Sequence, residues 1–187
     1  MIDLVRAAAN LQAGLDELGL ANCVIGGLAL QAWGEVRLTR DADFTVLTRF
    51  DDEPSKVEAM MQLMTPRIPD AFAFALRNRV LLGYVEGNIP VDIGIGGFDY
   101  EEKIVQRAVA VELAPSIRLR ICTAEDLIVM KVFAGRDQDW IDIHGVIARQ
   151  TTLDWAQIEL ELRTLLELIE EPERLNRVRL IRGSLGK

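Results

Sequence analysis

The amino-acid sequence predicts an α/β (α+β) fold, in which a small mixed sheet flanked by helices is followed by a helical C-terminal third. Short apolar runs rich in β-branched residues alternate with helical patterns as far as Cys122. From Thr123 onward, apolar residues recur almost wholly at helical spacing. No linker rich in Gly, Ser or Pro separates the two parts. We therefore expect the core, residues 1–122, and the helical region, residues 123–187, to pack as one unit.

The first two thirds of the chain are predicted to contain three helices and five strands. Gly19 is suited to end the first helix, and Pro66 to end the third. Ser55 is interpreted as the N-cap of that third helix. The turn Glu86-Gly87-Asn88 is typical of a hairpin. The predicted helices cover residues 4–18, 28–33 and 55–64, and the strands cover residues 22–25, 42–47, 79–85, 89–95 and 118–122.

The C-terminal third is predicted to be a series of helices. They cover residues 123–134, 137–148 and 153–169, and a last one follows Glu171-Pro172 and ends near Ile181. Asp137 is interpreted as a helix cap. His144 is the only histidine and lies beside apolar helix positions, so we interpret it as structural and exclude a multi-histidine zinc site.

The composition is that of a folded globular protein without a membrane segment. Hydrophobic residues make up 50% of the chain and charged residues 27%. No apolar run approaches the roughly 20 residues needed to cross a bilayer, and the N-terminal segment lacks the pattern of a secretory signal. Cys23 and Cys122 lie in apolar contexts, so we interpret them as small buried hydrophobic residues. We therefore expect a cytoplasmic protein with no membrane partner.

Charge is unevenly distributed along the chain. The net charge of −8 argues against a broad nucleic-acid-binding surface, because contacts to phosphates need clustered Lys and Arg. From Arg174 to the end, however, every charged residue is basic: Arg174, Arg177, Arg179, Arg182 and Lys187. Two interpretations of this segment stay open, a solvated helix face or a cationic patch for a phosphate-bearing substrate.

Three acids and a glycine turn form the candidate site. Asp41 and Asp43 lie two residues apart at a strand, so their carboxylates point to the same face. Gly26-Gly27 precedes a helix, whose first backbone N–H groups can bind an anion. A lone Asp-x-Asp is often a pair of exposed acids. Asp92, however, interrupts another apolar strand, where an unpartnered acid is costly.

This chemistry points to divalent cations. Three inward carboxylates would repel one another and raise their pKa values unless a cation lay between them. Oxygen ligands favour Mg²⁺ or Mn²⁺. Two such ions, roughly 3.5–4 Å apart, can bind the attacking and leaving oxygens of a phosphoryl displacement.

The residues that carry this chemistry also resemble a known family. Ile25-Gly26-Gly27, thirteen further residues and then Asp41-Ala42-Asp43-Phe44 resemble the signature of the DNA polymerase beta-like nucleotidyltransferase superfamily. Asp92 resembles its third carboxylate, on a neighbouring strand. The block from Glu125 to Ile143 is similar to a helical motif of the branch that contains abortive-infection nucleotidyltransferase-like toxins. The resemblance spans roughly residues 24–147.

The resemblance implies the nucleotidyltransferase fold and an enzyme that transfers a nucleoside monophosphate from an NTP, such as ATP, to a hydroxyl acceptor with release of pyrophosphate. It implies a magnesium or manganese cofactor, and a tRNA, protein or small-molecule acceptor. A toxin of a toxin–antitoxin or phage-defence system, with an antitoxin partner, is implied by the branch. Two other classes stay open: a catalytically silent binding protein of the same fold, and a phosphohydrolase that uses the same carboxylates.

The resemblance also implies roles for individual residues. Asp41, Asp43 and Asp92 would bind metal, and Asp92 would help deprotonate the acceptor. Gly26 and Gly27 would let the backbone approach the triphosphate. Because many family members carry Ser as the second residue of this pair, the glycine limits position 27 to backbone contacts.

Basic residues complete the predicted site. Arg40, with Arg37, flanks the carboxylates and is predicted to neutralise phosphate charge. Lys131 projects from an apolar helix stripe, so it is either a buried lysine with an anionic partner or a surface lysine whose stem is buried. The equivalent lysine of the related toxins belongs to the active-site motif, so Lys131 is predicted to be catalytic. Asp139 and Asp142, one helical turn apart, are predicted partners of Lys131 or Arg136.

Overall fold

The structure is a computed structural model that describes residues 2–48 and 51–187. The chain divides into two compact units. The sheet unit comprises Met1–Leu28 and Leu38–Cys122, and the helical unit comprises Ala29–Arg37 and Thr123–Lys187. Within the described residues, no helix is long and apolar enough to cross a bilayer.

The sheet unit contains a mixed seven-stranded sheet with the strand order β3-β4-β5-β2-β1-β7-β6, traced over the described residues. Its strands are β1 (Asn22–Ile25), β2 (Ala42–Leu47), β3 (Thr65–Pro66), β4 (Val80–Val85), β5 (Ile89–Gly96), β6 (Val109–Ala114) and β7 (Ile117–Ile121). The helices are α1 (Ile2–Glu17), α2 (Gly26–Trp33), α3 (Glu53–Met61), α4 (Ala71–Asn78) and α5 (Asp99–Arg107). Of α2, residues 26–28 belong to this unit and the rest to the helical unit.

The two central strands, β1 and β2, are antiparallel, whereas β5 runs parallel to β2 and β7 parallel to β1. Helix α1 packs against β1 and β7, and α5 packs against β1 and β2. Phe44 and Val46 of β2 are fully buried, and Thr45 between them is only 6% exposed. Because neighbouring strand residues point to opposite faces, this part of β2 is covered on both sides.

The helical unit contains α6 (Ala124–Ala134), α7 (Asp137–Arg149), α8 (Trp155–Leu168) and α9 (Glu173–Ser184). Helix α6 packs against the other three, and its apolar residues Leu127, Ile128 and Val132 are buried. Side chains at the end of α7 satisfy carbonyls at the end of α2. Gln150 donates to the Trp33 carbonyl at 2.6 Å, and Arg149 donates to that of Gly34 at 2.9 Å.

The structure confirms the predicted fold class and corrects two helix caps. Asp52, not Ser55, is the N-cap residue of α3, and the Ser55 hydroxyl donates to its carbonyl at 2.8 Å. Asp137 is the first helical residue of α7, because Arg136 occupies the N-cap position. His144 is exposed. Four elements were not predicted: β3, α4, α5 and β6.

Candidate active site

The sheet register brings Asp43 and Asp92 side by side. Asp43 on β2 is the register partner of Asp92 on the parallel strand β5 and of Ile25 on the antiparallel strand β1. Adjacent strands lie about 4.8 Å apart, and register partners point to the same face. The two carboxylates are therefore neighbours. The Asp92 side chain is 34% exposed, so a ligand can reach it.

The glycine turn follows directly from the same register. Gly26 comes after Ile25, and a Cβ atom built on it would lie 2.0 Å from Oδ2 of Asp43. Its φ of +60° also lies in the left-handed region. Gly26 is therefore required twice, once by its backbone conformation and once by the carboxylate packed against it.

Backbone and side-chain donors hold the first two acids. The Gly27 N–H donates to Oδ2 of Asp43 at 3.3 Å, so one amide of the turn already binds a carboxylate oxygen. Asp41 lies just before β2, and its Oδ1 accepts a hydrogen bond from the Thr39 hydroxyl at 2.8 Å. Both acids are partly exposed. The Gly27 N–H of the turn therefore faces a carboxylate oxygen in this structure.

Asp92 has a basic partner that the sequence did not reveal. Arg67 lies just after β3, and its backbone N–H donates to the Leu82 carbonyl on β4 at 3.0 Å. Its guanidinium reaches past β4 and contacts Oδ1 of Asp92 at 2.7 Å. This ion pair offsets the repulsion between neighbouring carboxylates. Asp92 thus has a charged partner within the protein itself.

The carboxylates fit a divalent cation as a pair rather than as a closed cage. Among the residues that the structure describes, no group of three His, Cys, Asp or Glu side chains is placed to hold a metal ion. Mg²⁺ commonly keeps several waters and is bound by one or two carboxylates plus the phosphates of the substrate. Asp43 and Asp92, as register partners on neighbouring strands, supply the two carboxylates of such a donor set. The metal-binding roles of the three acids stay predictions.

Two arginines lie in the loop before β2. Arg40 is exposed beside Asp41, in the sheet unit. Arg37 belongs to the helical unit, where its Nε lies 3.3 Å from Oδ1 of Asp142. Arg40 thus stays a predicted phosphate contact, whereas Arg37 has a partner of its own.

Lys131 lies at the centre of an ion-pair network in the helical unit. Its side chain is only 8% exposed, and Nζ lies 3.0 Å from Asp139 and 2.6 Å from Asp142. Arg136 contacts the second oxygen of Asp139 at 2.7 Å. The predicted pairing is confirmed, and Lys131 is a buried lysine, not a surface one. Its catalytic role stays a prediction.

The charges around Asp139 shift its titration. Burial alone would raise the pKa of Asp139, but hydrogen bonds and positive charges from Arg136 and Lys131 hold the pKa below its ordinary value of 3.8. Asp139 therefore stays ionised in the folded protein and keeps the buried lysine paired.

The arginines of α9 contact groups of the helical unit. Arg174 donates to the Val132 and Phe133 carbonyls at 3.2 and 2.7 Å, near the end of α6. Two others stack on tryptophan rings, and one pairs with a glutamate. Arg177 lies 4.1 Å from the Trp140 ring and Arg182 lies 4.4 Å from the Trp155 ring, while Arg179 pairs with Glu159. These contacts give the basic segment a role in packing.

Comparison with protein-family models identifies the family of the chain. The family described as nucleotidyltransferases of unknown function (DUF6036) matches residues 1–180. The chain belongs to this family. The match confirms the predicted nucleotidyltransferase relationship, and the narrower toxin-like branch stays a prediction.

One solved nucleotidyltransferase-like protein shares the fold of this family member, and two structures of an antibiotic-resistance factor align with it along most of the chain. An antigenic nucleotidyltransferase-like protein from Paracoccidioides brasiliensis is 12% identical, with a TM-score of 0.50 and 92% of each chain covered. The solution structure of the antibiotic-resistance factor ANT(2'')-Ia is 17% identical, with a TM-score of 0.49, covering 96% of this chain and 89% of the other. Its crystal structure with adenylyl-2''-tobramycin is 16% identical, with a TM-score of 0.48, covering 97% and 95%. No curated protein matches the chain.

Proposed function

We propose that this nucleotidyltransferase-family protein is an active, divalent-metal-dependent enzyme that transfers a nucleoside monophosphate from an NTP to a hydroxyl acceptor. One observation supports this above all: Asp43 and Asp92 are register partners on parallel strands, directly beside the glycine turn at Gly26. Acids on the same face next to a helix start are suited to bind a cation and a phosphate chain together.

Each residue of the site would have a distinct role in the transfer. Asp41, Asp43 and Asp92 would hold Mg²⁺ or Mn²⁺, which when bound would neutralise phosphate charge and polarise the α-phosphate. Gly26 and Gly27, which have no side chain, would let the backbone approach the triphosphate. The acceptor oxygen would form a bond to the α-phosphorus as the bond to the leaving pyrophosphate breaks. Asp92 would take up the proton of the acceptor hydroxyl.

The charge distribution favours an acceptor without a long phosphate backbone. The net charge is −8, and the arginines of α9 already contact carbonyls, aromatic rings and a glutamate of their own unit. Binding a nucleic acid requires cations that can release counterions from phosphates. We therefore place a small molecule or a protein hydroxyl ahead of tRNA. The toxin role and the antitoxin partner stay predictions of the resemblance.

The test measures the transfer of label from an NTP whose α-phosphate is labelled. Purified protein is incubated with Mg²⁺ or Mn²⁺ and with separate pools of small hydroxyl compounds, proteins and tRNA. Transfer of the α-label with equimolar pyrophosphate is expected. Loss of a residue that only supports a metal ligand typically costs about 10–100-fold in activity. Asp43 is predicted to be a ligand itself, so Asp43→Asn should reduce label transfer by more than that. Asp99→Asn, at an exposed position at the start of α5, is the matched control. Phosphate release without transfer would indicate a phosphohydrolase instead.

A second candidate is a catalytically silent protein that binds nucleotides. The ion pair between Arg67 and Asp92, at 2.7 Å, favours it because a cation of the protein already contacts the third carboxylate. In that case calorimetry would show NTP binding by the wild type, and no pool would receive label.

A further inference from the structure

Thr39 is placed between the glycine turn and the first acid of the site. It lies in the loop that precedes β2, within the sheet unit. Its hydroxyl donates to Oδ1 of Asp41 at 2.8 Å. The same hydroxyl oxygen lies 2.4 Å from the position that a Cβ atom on Gly27 would occupy. One side chain therefore contacts both parts of the candidate site.

Gly27 is a glycine because of Thr39 rather than because of its own backbone. Unlike Gly26, it does not have a positive φ, so its backbone conformation is open to any residue. A Cβ atom at position 27 would, however, also lie 2.8 Å from Cβ of Thr39, which is closer than two such atoms can approach. The space that a side chain at position 27 would need is occupied by the threonine.

Asp41 needs a side-chain partner because the sheet does not position it. The registered pairing of β2 with β5 begins at Ala42, and the pairing of β2 with β1 ends at Asp43. Asp41 thus lies one residue outside the ladder. A carboxylate there is free to rotate unless a hydrogen bond holds it. The Thr39 hydroxyl supplies that bond.

We propose that Thr39 is a positioning residue of the nucleotide site, whose hydroxyl holds the Asp41 carboxylate in place beside the glycine turn. The proposal rests on the proposed function, since it assigns Asp41 to the metal site. Hydrogen-bonded partners of metal-binding carboxylates typically contribute about 10–100-fold to metal affinity or activity. The hydroxyl of Thr39, and not the rest of its side chain, makes the hydrogen bond to Asp41. A serine hydroxyl at position 39 or at position 27 should therefore be able to replace it.

The experiment moves the hydroxyl between the two positions. Binding of the α,β-imido analogue of ATP is measured by calorimetry at fixed Mn²⁺, alongside transfer activity and urea unfolding. Thr39→Val should weaken Mn²⁺-dependent binding by about 10–100-fold, and Thr39→Ser should restore it to within a few-fold of the wild type. Thr39→Gly should bind at least as weakly as Thr39→Val. The double variant Gly27→Ser with Thr39→Gly should recover much of the loss, because the glycine removes both the hydroxyl and the Cβ atom that a side chain at position 27 would meet.

Controls separate this proposal from folding and from the proposed function. Gly27→Ser alone should be impaired, since its side chain collides with Thr39. Thr48→Val, which removes a buried hydroxyl that donates to the Gly96 carbonyl at 3.3 Å, should leave binding unchanged. Wild-type-like binding by Thr39→Val, or no recovery in the double variant, would overturn the positioning role alone. Absence of Mn²⁺-dependent nucleotide binding by the wild type would overturn the proposed function together with it.

Discussion

Replacing Gly26 with alanine should disrupt the contact between the glycine turn and Asp43. The alanine Cβ would lie 2.0 Å from Oδ2, 2.7 Å from Cγ and 2.9 Å from Cβ of Asp43. All three distances are too short for non-bonded atoms, and a short side chain such as aspartate has little room to withdraw. The carboxylate must therefore rotate away or the turn must shift. Either movement separates the acid from the Gly27 N–H, which now donates to it at 3.3 Å.

The expected loss of stability has two parts. A non-glycine residue at a φ of +60° costs about 1–2 kcal/mol. Loss of a hydrogen bond to a charged group adds roughly 1.5–3 kcal/mol. The free energy of unfolding should therefore fall by about 2.5–5 kcal/mol, as the sum of these two ranges.

Gly19→Ala provides the matched control. Gly19 has a φ of +69°, and nothing lies within 4 Å of the position of its Cβ atom. It carries the backbone strain without the collision, so only the first part of the loss is expected. Urea unfolding followed by circular dichroism gives the stability of both variants, and transfer of an α-labelled phosphate gives their activity. A Gly26→Ala variant that loses no more stability than Gly19→Ala and keeps wild-type activity would contradict the predicted collision with Asp43.

Three further predictions concern the charged residues. Lys131→Met leaves two buried carboxylates without their lysine and should lower the free energy of unfolding by about 3–5 kcal/mol; a loss below about 1 kcal/mol in urea unfolding would contradict the buried pairing. The lowered pKa of Asp139 stabilises the fold fully above its ordinary value of 3.8, and this contribution disappears as the pH falls through the lower folded-state pKa. Between about pH 5 and pH 2, wild-type stability should thus fall more steeply than that of Asp139→Asn, and parallel curves would refute the assignment. Arg67→Gln removes the cation that contacts Asp92 at 2.7 Å, so calorimetry should show tighter Mn²⁺ binding, and unchanged or weaker binding would show that the pair does not compete with metal.

The central strands were predictable because they are buried. The predicted bounds of β1 and β2, residues 22–25 and 42–47, agree with the structure. Strands covered on both faces read as apolar runs, and the acids stand out against them. Strand β6 was missed because it lies at the edge of the sheet and exposes much of its length. Helix α5 was missed because only Ile104 and Val105 are buried among its charged residues.

The partners of the acids were not predictable because tertiary structure brings them together. Arg67 reaches Asp92 only through the order β3-β4-β5, and β3 is too short to leave a pattern. Thr39 is two residues from Asp41, but its contact with the turn depends on how the loop folds back over Gly27. By contrast, Asp139 and Asp142 lie one turn apart on α7, only 8 and 11 residues after Lys131 on α6, so the pairing across this short connection could be predicted.

The hydrophobic residues of the central strands determine the geometry of the candidate site as much as the acids do. A slip of β2 by one residue would turn Asp43 to the opposite face, and with it the fully buried Phe44 and Val46. Because both faces of this part of β2 are covered, the slip would place the Asp43 carboxylate in the packed core, where an unpartnered charge is costly, so the core opposes the slip. The same register places Ile25 beside Asp43, and therefore the glycine turn beside the carboxylate. Alternation of acids with core residues thus positions the acids, and only Asp41, which lies beyond the ladder, depends on a side chain to hold it.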